Sequence, residues 1–314
     1  MVITKASRGP KMQLRDLVAE GGGSGAVLVS TLRRHSFSLL WFDTSIGRLI
    51  LKVSRDEAAD RVLQAEYDVL TSLPAWPGVQ VPKAKASGSV NGRIATVMTA
   101  VEGTKLVLAR QTSAEALIAV ARACDQMAST ASEATVDPVE IKRAILAAGN
   151  ADAALADDAG VADLIAAAVR AHQGAGRRLR AAWTHNDFSG ANVFARDVGV
   201  GVIDWALASR DGFAGLDRLM LAWHLWIKRD GVAPADAARR VTTRSLEGAG
   251  QWLMPDATTM PDADLRAAAV TMFAILGTRA LVEGQRARLE AARAAIAGIQ
   301  PAPDGPAISR GSRS

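Results

Sequence analysis

Thr184-His185-Asn186-Asp187-Phe188-Ser189-Gly190-Ala191-Asn192-Val193-Phe194, with Val202-Ile203-Asp204-Trp205 shortly after it, is the part of the chain on which the fold turns. An Asp and an Asn stand five residues apart, and a second carboxylate, Asp204, follows Asn192 by twelve. The intervening residues predict a short β-hairpin that returns Asp204 behind apolar strand residues. Three oxygen-bearing side chains then converge at one loop mouth. Asn192 and Asp204 offer the hard oxygens that magnesium takes, a metal that uses few protein ligands and completes its shell with phosphate oxygens. Asp187, on the loop between them, can accept a proton from a hydroxyl. This is the equipment of in-line phosphoryl transfer.

Upstream of this stretch the pattern is mixed. Met12–Val18 has a weak helical period and leads to the breaker Gly21-Gly22-Gly23-Ser24-Gly25. Three β-like runs follow: Ala26–Ser30, Ser36–Phe42 and Arg48–Val53, the last two joined by a turn at Asp43–Gly47. Asp56–Leu73 switches to helical period and is closed by Leu73-Pro74. Val79–Pro82 and Ile94–Thr99 read as two further strands around an Asn91-Gly92 turn. From Ser113 onward Ala-rich helical pattern dominates, over 113–130, 137–148, 161–180, 216–229, 233–248 and 262–297, interrupted only by the strand-and-loop island between Trp183 and Trp205. The expected organisation is a small β-rich lobe (1–100), a connector (101–104), a larger helical lobe (105–299) that carries the loop and its metal site, and a Pro-, Gly-, Ser- and Arg-rich tail (300–314) expected to be disordered.

Composition narrows the function. The chain has 314 residues, 49% hydrophobic and 22% charged, which suits a globular protein and excludes collagen-like or coiled-coil chains. One cysteine, Cys124, excludes an intramolecular disulfide and a multi-Cys zinc site, and the four His residues have no metal-ligand spacing. Neither a secretory leader nor an uninterrupted membrane-spanning run is read; Ala267–Gly277, flanked by Arg266 and Arg279, reads as a core helix. The expected location is the cytoplasm. The net charge of +5 comes mostly from residues 1–103, where 13 Lys and Arg face 9 Asp and Glu. That bias suits an anionic ligand such as a nucleotide phosphate. A dense basic stripe with interleaved aromatics is missing, so neither nucleic acid nor a membrane is an expected partner.

The order His185-x-Asp187-x-x-x-x-Asn192, then Ile203-Asp204-Trp205, resembles the catalytic and metal-binding segments of the aminoglycoside phosphotransferase and choline kinase-like family, a branch of the protein-kinase-like fold. Asn186 stands where that family usually has Gly. The resemblance covers roughly residues 20–300. It implies an α+β, two-lobed protein-kinase-like fold, with a small antiparallel-sheet lobe carrying one helix and a mainly helical second lobe. It also implies an ATP- (or GTP-) and Mg2+-dependent transfer of the γ-phosphate to a hydroxyl of a small molecule such as an aminoglycoside, sugar or amino alcohol. In that reading Asp187 is catalytic, and Asn192 and Asp204 hold the metal. Lys52 contacts the α- and β-phosphates and is steadied by Glu66. Thr99 and Val101 lie in the adenine-binding hinge, Met98–Gly103. His185 and Asp217 support the loop.

Two candidates stay open for the loop over the phosphates: the glycine cluster with Gly23, Ser24 and Gly25, whose backbone N–H groups would cradle them, and the turn Thr31–His35 with Arg33 and Arg34. Only twelve residues separate Asp204 from Asp217, too few for a peptide-binding activation segment, so a small acceptor is expected. A nucleotide-binding module without turnover is the alternative, against which stands the full set of competent residues. Trp183, Trp205, Trp223 and Trp226 read as core packing, and Cys124 as an inert filler.

Overall fold

A computed structural model describes residues 14–23, 25–33, 36–106, 113–129, 132–134, 137–149, 151, 153–175, 179–255 and 260–299. Ser24, Arg34 and the 300–314 tail lie outside these residues. In chain order the elements begin with α1 (Leu14–Glu20), β1 (Val27–Arg33), β2 (Phe37–Thr44), β3 (Gly47–Ser54), α2 (Glu57–Ser72), β4 (Val79–Gln80), β5 (Ala84–Val90), β6 (Arg93–Thr99) and β7 (Thr104–Lys105). Next come α3 (Ala114–Ala128), β8 (Ser132–Ala134), α4 (Pro138–Ala148), α5 (Ala159–Ala175), β9 (Leu179–Thr184), β10 (Val193–Ala195), β11 (Val200–Val202) and β12 (Ser209–Phe213). Helices α6 (Leu216–Lys228), α7 (Pro234–Thr242), α8 (Gly250–Leu253), α9 (Asp262–Val282) and α10 (Arg286–Ile299) complete the chain. Two compact units result, one drawn from Met1–Val107 with Asp187–Ala208, the other from Leu108–Asn186 with Ser209–Ser314.

The first unit is built on an antiparallel sheet in the order β1-β2-β3-β6-β5. Alternation along β3 sends Leu49 and Leu51 into a core with Leu17, Val18, Phe42, Val90 and Val97. Ile50, Lys52 and Ser54 therefore point to the opposite face. Asn91 and Gly92 both have positive φ (51° and 78°), the backbone of a two-residue hairpin whose twist matches its strands. Helix α2 starts at Asp56, whose carboxylate accepts the Ala59 N–H at 2.8 Å, and stops at Leu73, which is held extended by Pro74.

The structure corrects several expectations here. The partner of β6 is β5, not Val79–Pro82; the short β4 pairs instead in parallel with β11, Val79 opposite Val200. Strand β1 runs through Thr31–Arg33 because Leu32 and Arg33 continue the ladder opposite Leu39 and Ser38, so these residues are strand and not turn. The Gly21, Gly22 and Gly23 N–H groups donate to the carbonyls of Leu17, Ala19 and Val18. They close the C-terminus of α1 and are not open to a phosphate, whose charge would also meet the negative end of that helix.

A second sheet of the first unit, β4-β11-β10-β7, explains why residues 187–208 group there and not with the helical lobe: the β10–β11 hairpin pairs with β7 on one side and β4 on the other. Contact is close at two glycines. A Cβ on Gly201 would lie 2.1 Å from Val101 Cγ1, and one on Gly103, at φ 123°, would lie 2.3 Å from the Ala195 carbonyl oxygen. Trp205 is buried, stacks on Trp76 at 5.8 Å between centroids, and donates its Nε1–H to the Val202 carbonyl.

The second unit is mainly helical, with a small sheet in the order β12-β9-β8. Helix α9 is its spine. It is long and apolar enough to cross a membrane by length and composition, yet 72% of its apolar window is buried inside the protein, the habit of a core helix. The expected single helix over 262–297 is two, because the chain turns at Gly284 (φ 67°) between α9 and α10. Helix α5 ends at Ala175 and α7 at Thr242, both earlier than the periodicity suggests.

Candidate active site

Lys52 sits mid-strand in β3, opposite Leu39 of β2 and Thr96 of β6, so the sheet fixes its backbone on both sides. Its Nζ lies 2.7 Å from Glu66 Oε2, 3.3 Å from Asp204 Oδ1 and 4.5 Å from the centre of the Phe37 ring. Glu66 is the one charged residue on the buried face of α2, among Ala59, Leu63 and Leu70, and is 1% exposed. Burial by itself lowers the Lys52 pKa, but the two flanking carboxylates outweigh it and hold the ammonium above its ordinary value. Burial pushes the Glu66 carboxyl upward, against the pull of Lys52. The first turn of α2 is anchored independently. The Asp60 carboxylate accepts bonds from the Ser54 hydroxyl, the Ile94 N–H and Arg93 Nη1, which together keep it below the usual carboxylate range despite its burial.

Asp204 follows β11 with φ 68° and ψ 61°, a left-handed conformation that Asp tolerates through its short polar side chain. The buried Trp205 behind it fixes this turn, while the Asp204 side chain stays 48% exposed. At the same end of the hairpin, the Ile203 N–H donates to the Asn192 carbonyl at 2.9 Å and Val193 pairs with Val202. Asn192 and Asp204 therefore leave neighbouring strand ends. Asn192 Nδ2 donates to Asp187 Oδ2 at 2.9 Å and to the Asp187 carbonyl at 3.0 Å, which turns the amide oxygen away from Asp187. Bonds from the Ser189 N–H to the Asp187 carbonyl and from the Asn192 N–H to the Ser189 carbonyl stitch the loop, and Phe188 is fully buried beneath it. Among the described residues no three His, Cys, Asp or Glu side chains form a ready-made metal cage. The oxygen donors here are two carboxylates and an amide, a set that fits magnesium better than a softer ion.

In the second unit Asp217, in the first turn of α6, receives the His185 N–H on Oδ2 at 2.7 Å and the Asn186 N–H on Oδ1 at 2.9 Å. Asn186 has φ 60°, which gives the reason for the glycine usual at this position: Gly reaches this backbone without strain and Asn is the next most tolerant residue. His185 and Asn186 are both buried, at the chain position immediately before Asp187.

The Thr99 N–H donates to the Lys83 carbonyl, and its hydroxyl accepts the Lys83 N–H. Val101 packs on Gly201. Arg33 is exposed at the end of β1, and Gly23 and Gly25 lie between α1 and β1. Sequence reasoning missed Phe37, Asp60 and Arg279. The last of these donates from Nη2 to the Asn186 carbonyl at 2.9 Å and to the Ala148 carbonyl at 3.0 Å. Phe37 and Asp60 carry ordinary strand and helix-start signals, and nothing in the local pattern separates Arg279 from any other basic residue late in a helix.

Comparison with known proteins gives a family and a fold. The sequence profile described as the phosphotransferase enzyme family matches residues 32–253. Aminoglycoside phosphotransferase APH(4)-Ia is 16% identical over 91% of this chain and 96% of its own, with a TM-score of 0.55. A thermostable mutant of that protein, in ternary complex with ADP and hygromycin B, is 18% identical over the same shares, with a TM-score of 0.56. The GDP complex of aminoglycoside 2'-phosphotransferase-IIIa is 11% identical over 87% of this chain and 94% of its own, with a TM-score of 0.50. At these identities the likeness is one of fold. A search of curated proteins returns no match.

Proposed function

This chain belongs to the phosphotransferase enzyme family, and from that premise we propose that it moves the γ-phosphoryl group of ATP or GTP onto a hydroxyl of a small molecule. The observation that carries the reading is Lys52, buried between Glu66 and Asp204 at 2.7 and 3.3 Å. A lysine held in this way is a point charge aimed by its two carboxylate partners, suited to an anionic ligand.

Lys52 meets the α- and β-phosphates, with Glu66 fixing its direction. The 98–103 segment, with Thr99 and Val101, lies along the purine. Asn192 and Asp204 would hold magnesium, which neutralises charge on the phosphate oxygens. Asp187 accepts the Asn192 amide on Oδ2, and a carboxylate oxygen of this residue is the one offered to the acceptor. That oxygen orients the hydroxyl and takes its proton as the new P–O bond forms and the bond to the leaving nucleoside diphosphate breaks. Little base strength is required, because the transition state is loose. His185 and Asp217 hold the loop.

The acceptor is a small molecule. Aminoglycosides lead the acceptor panel because one structural relative was crystallised with hygromycin B; sugars and amino alcohols follow. Nucleotide binding is tested by titrating ATP and GTP, each with and without magnesium, into wild type and Lys52→Met. The reading expects magnesium-dependent binding that weakens at least tenfold in Lys52→Met, given the roughly 1.4 kcal/mol that a decade represents and the greater worth of a charge-assisted phosphate contact. Equal affinity in the two proteins would remove Lys52 from the nucleotide site.

A further inference from the structure

We infer that Arg279 is a positioning residue for Asp187. This rests on the reading of Asp187 as the residue that receives the acceptor's proton. Arg279 lies in the last turn of α9, a helix whose other inward positions are almost all apolar. Its Nη2 bridges two main-chain carbonyls, Ala148 at 3.0 Å and Asn186 at 2.9 Å. Ala148 is the last residue of α4, so its carbonyl belongs to the helix end whose acceptors lack intrahelical donors and carry partial negative charge. Close packing brings that end to α9: a Cβ on Gly149 would lie 2.6 Å from Thr278 Cγ2, one residue before Arg279. The α4 terminus thus holds the guanidinium in place, and the same nitrogen then reaches Asn186.

The second contact reaches the chemistry through covalent geometry. The Asn186 carbonyl and the Asp187 nitrogen share one peptide plane. Asn186 is in the left-handed region at φ 60°, a conformation an L-residue keeps only when its surroundings hold it. Asp217 grips the Asn186 N–H and Arg279 grips its carbonyl, so charged side chains from α6 and α9 clamp both polar groups of this strained residue. Fixing the carbonyl direction fixes the rotation of the Asn186–Asp187 peptide plane, and hence the direction in which the Asp187 side chain leaves the backbone. A plane rotation of roughly 20–25° moves a carboxylate by about 1 Å, a misplacement that costs on the order of 100-fold in rate.

The test compares wild type, Arg279→Met, Arg279→Lys and Asp187→Asn. Turnover is measured as nucleoside diphosphate release with the best acceptor of the panel, or with water if none is better, and amide hydrogen exchange is followed over residues 184–188. The expected result for Arg279→Met is a fall in kcat of roughly 30- to 100-fold per folded molecule, with KM for the nucleotide within about twofold, as befits loss of an interaction that matters only in the transition state. The His185 and Asn186 amides should exchange at least about tenfold faster in nucleotide-free protein while the melting temperature shifts by a few degrees. Arg279→Lys keeps a donor at this place and should recover most of kcat; if Arg279→Met fails to fold, Arg279→Gln, neutral and too short to bridge both carbonyls, takes its place with the same expected loss. A kcat within about threefold of wild type in the neutral variant, or unchanged exchange at His185 and Asn186 in it, overturns the inference. Full activity in Asp187→Asn overturns the underlying reading instead, so the two failures are distinct.

Discussion

Replacing Asp217 by Asn changes one atom of a buried carboxylate, and the consequence can be worked from two hydrogen bonds. Oδ2 accepts the His185 N–H at 2.7 Å and Oδ1 accepts the Asn186 N–H at 2.9 Å, in a residue that is 4% exposed. The amide keeps one oxygen and can satisfy one N–H. Its NH2 group must face the other, donor against donor. A hydrogen bond to a charged acceptor is worth about 1.5–3 kcal/mol, and a buried N–H left without a partner costs about 1–3 kcal/mol. The variant should therefore lose about 3–5 kcal/mol, which for a chain of this size is a fall in melting temperature of roughly 6–15 °C. Thermal denaturation followed by circular dichroism, at one pH and protein concentration, reads this directly. The loss should be largely local, so amide exchange at residues 185 and 186 should rise before that of α9. A destabilisation below about 1 kcal/mol would refute the claim that this carboxylate bears the loop.

Further predictions rest on other contacts. Asn186→Gly should fold and turn over better than Asn186→Ala, because only the latter bears about 1–2 kcal/mol of left-handed strain; the order of their melting temperatures and kcat values checks it. His172 is buried, with Nε2 2.7 Å from the Thr271 hydroxyl, and burial lowers its pKa to about 4 from 6.5. The unfolded chain binds this proton below pH 6.5 and the folded protein does not until about pH 4, so stability is full above 6.5 and falls between those values by about 3 kcal/mol. His172→Gln should remove that part of the slope in urea titrations run across this pH range. Gly201→Ala puts a methyl 2.1 Å from Val101 Cγ1 and should cost about 1–3 kcal/mol. If the 98–103 segment borders the purine, nucleotide affinity should also fall, as read by titration calorimetry.

The parts of this protein legible in its sequence are those where chemistry overrides the local pattern. Lys52 and Glu66 are the exception: each alone passes for a solvated charge, and only the resemblance to the family's order of motifs pairs them; the structure brings the two to 2.7 Å. The Asp187, Asn192 and Asp204 spacing is local, so a short loop and hairpin suffice to gather the three. Strand β5, Ala-Lys-Ala-Ser-Gly-Ser-Val, was hidden because its small and polar residues form a strand through the ladder that β6 supplies, not through their own propensity. The parallel pairing of β4 with β11 joins segments more than a hundred residues apart and leaves no trace in either. Gly21–Gly25 read equally well as a phosphate cradle or a breaker, since both uses need a backbone free of Cβ; the Leu17, Ala19 and Val18 carbonyls take the Gly21, Gly22 and Gly23 N–H groups into the end of α1. Arg279 was silent for another reason. It acts on main-chain carbonyls, whose position no residue type reports.

The central claim is that Asp187 serves the transfer of a phosphoryl group to a small-molecule hydroxyl. Its most direct test incubates wild type and Asp187→Asn with magnesium and ATP or GTP labelled in the γ-phosphate, together with the acceptor panel, and follows the label into acceptor by mass spectrometry. The account predicts a phosphorylated acceptor with wild type, at least about a hundredfold less with Asp187→Asn, and nucleotide affinity nearly equal in the two proteins. Equal labelling by Asp187→Asn, or label lost only to water across the whole panel, would contradict it.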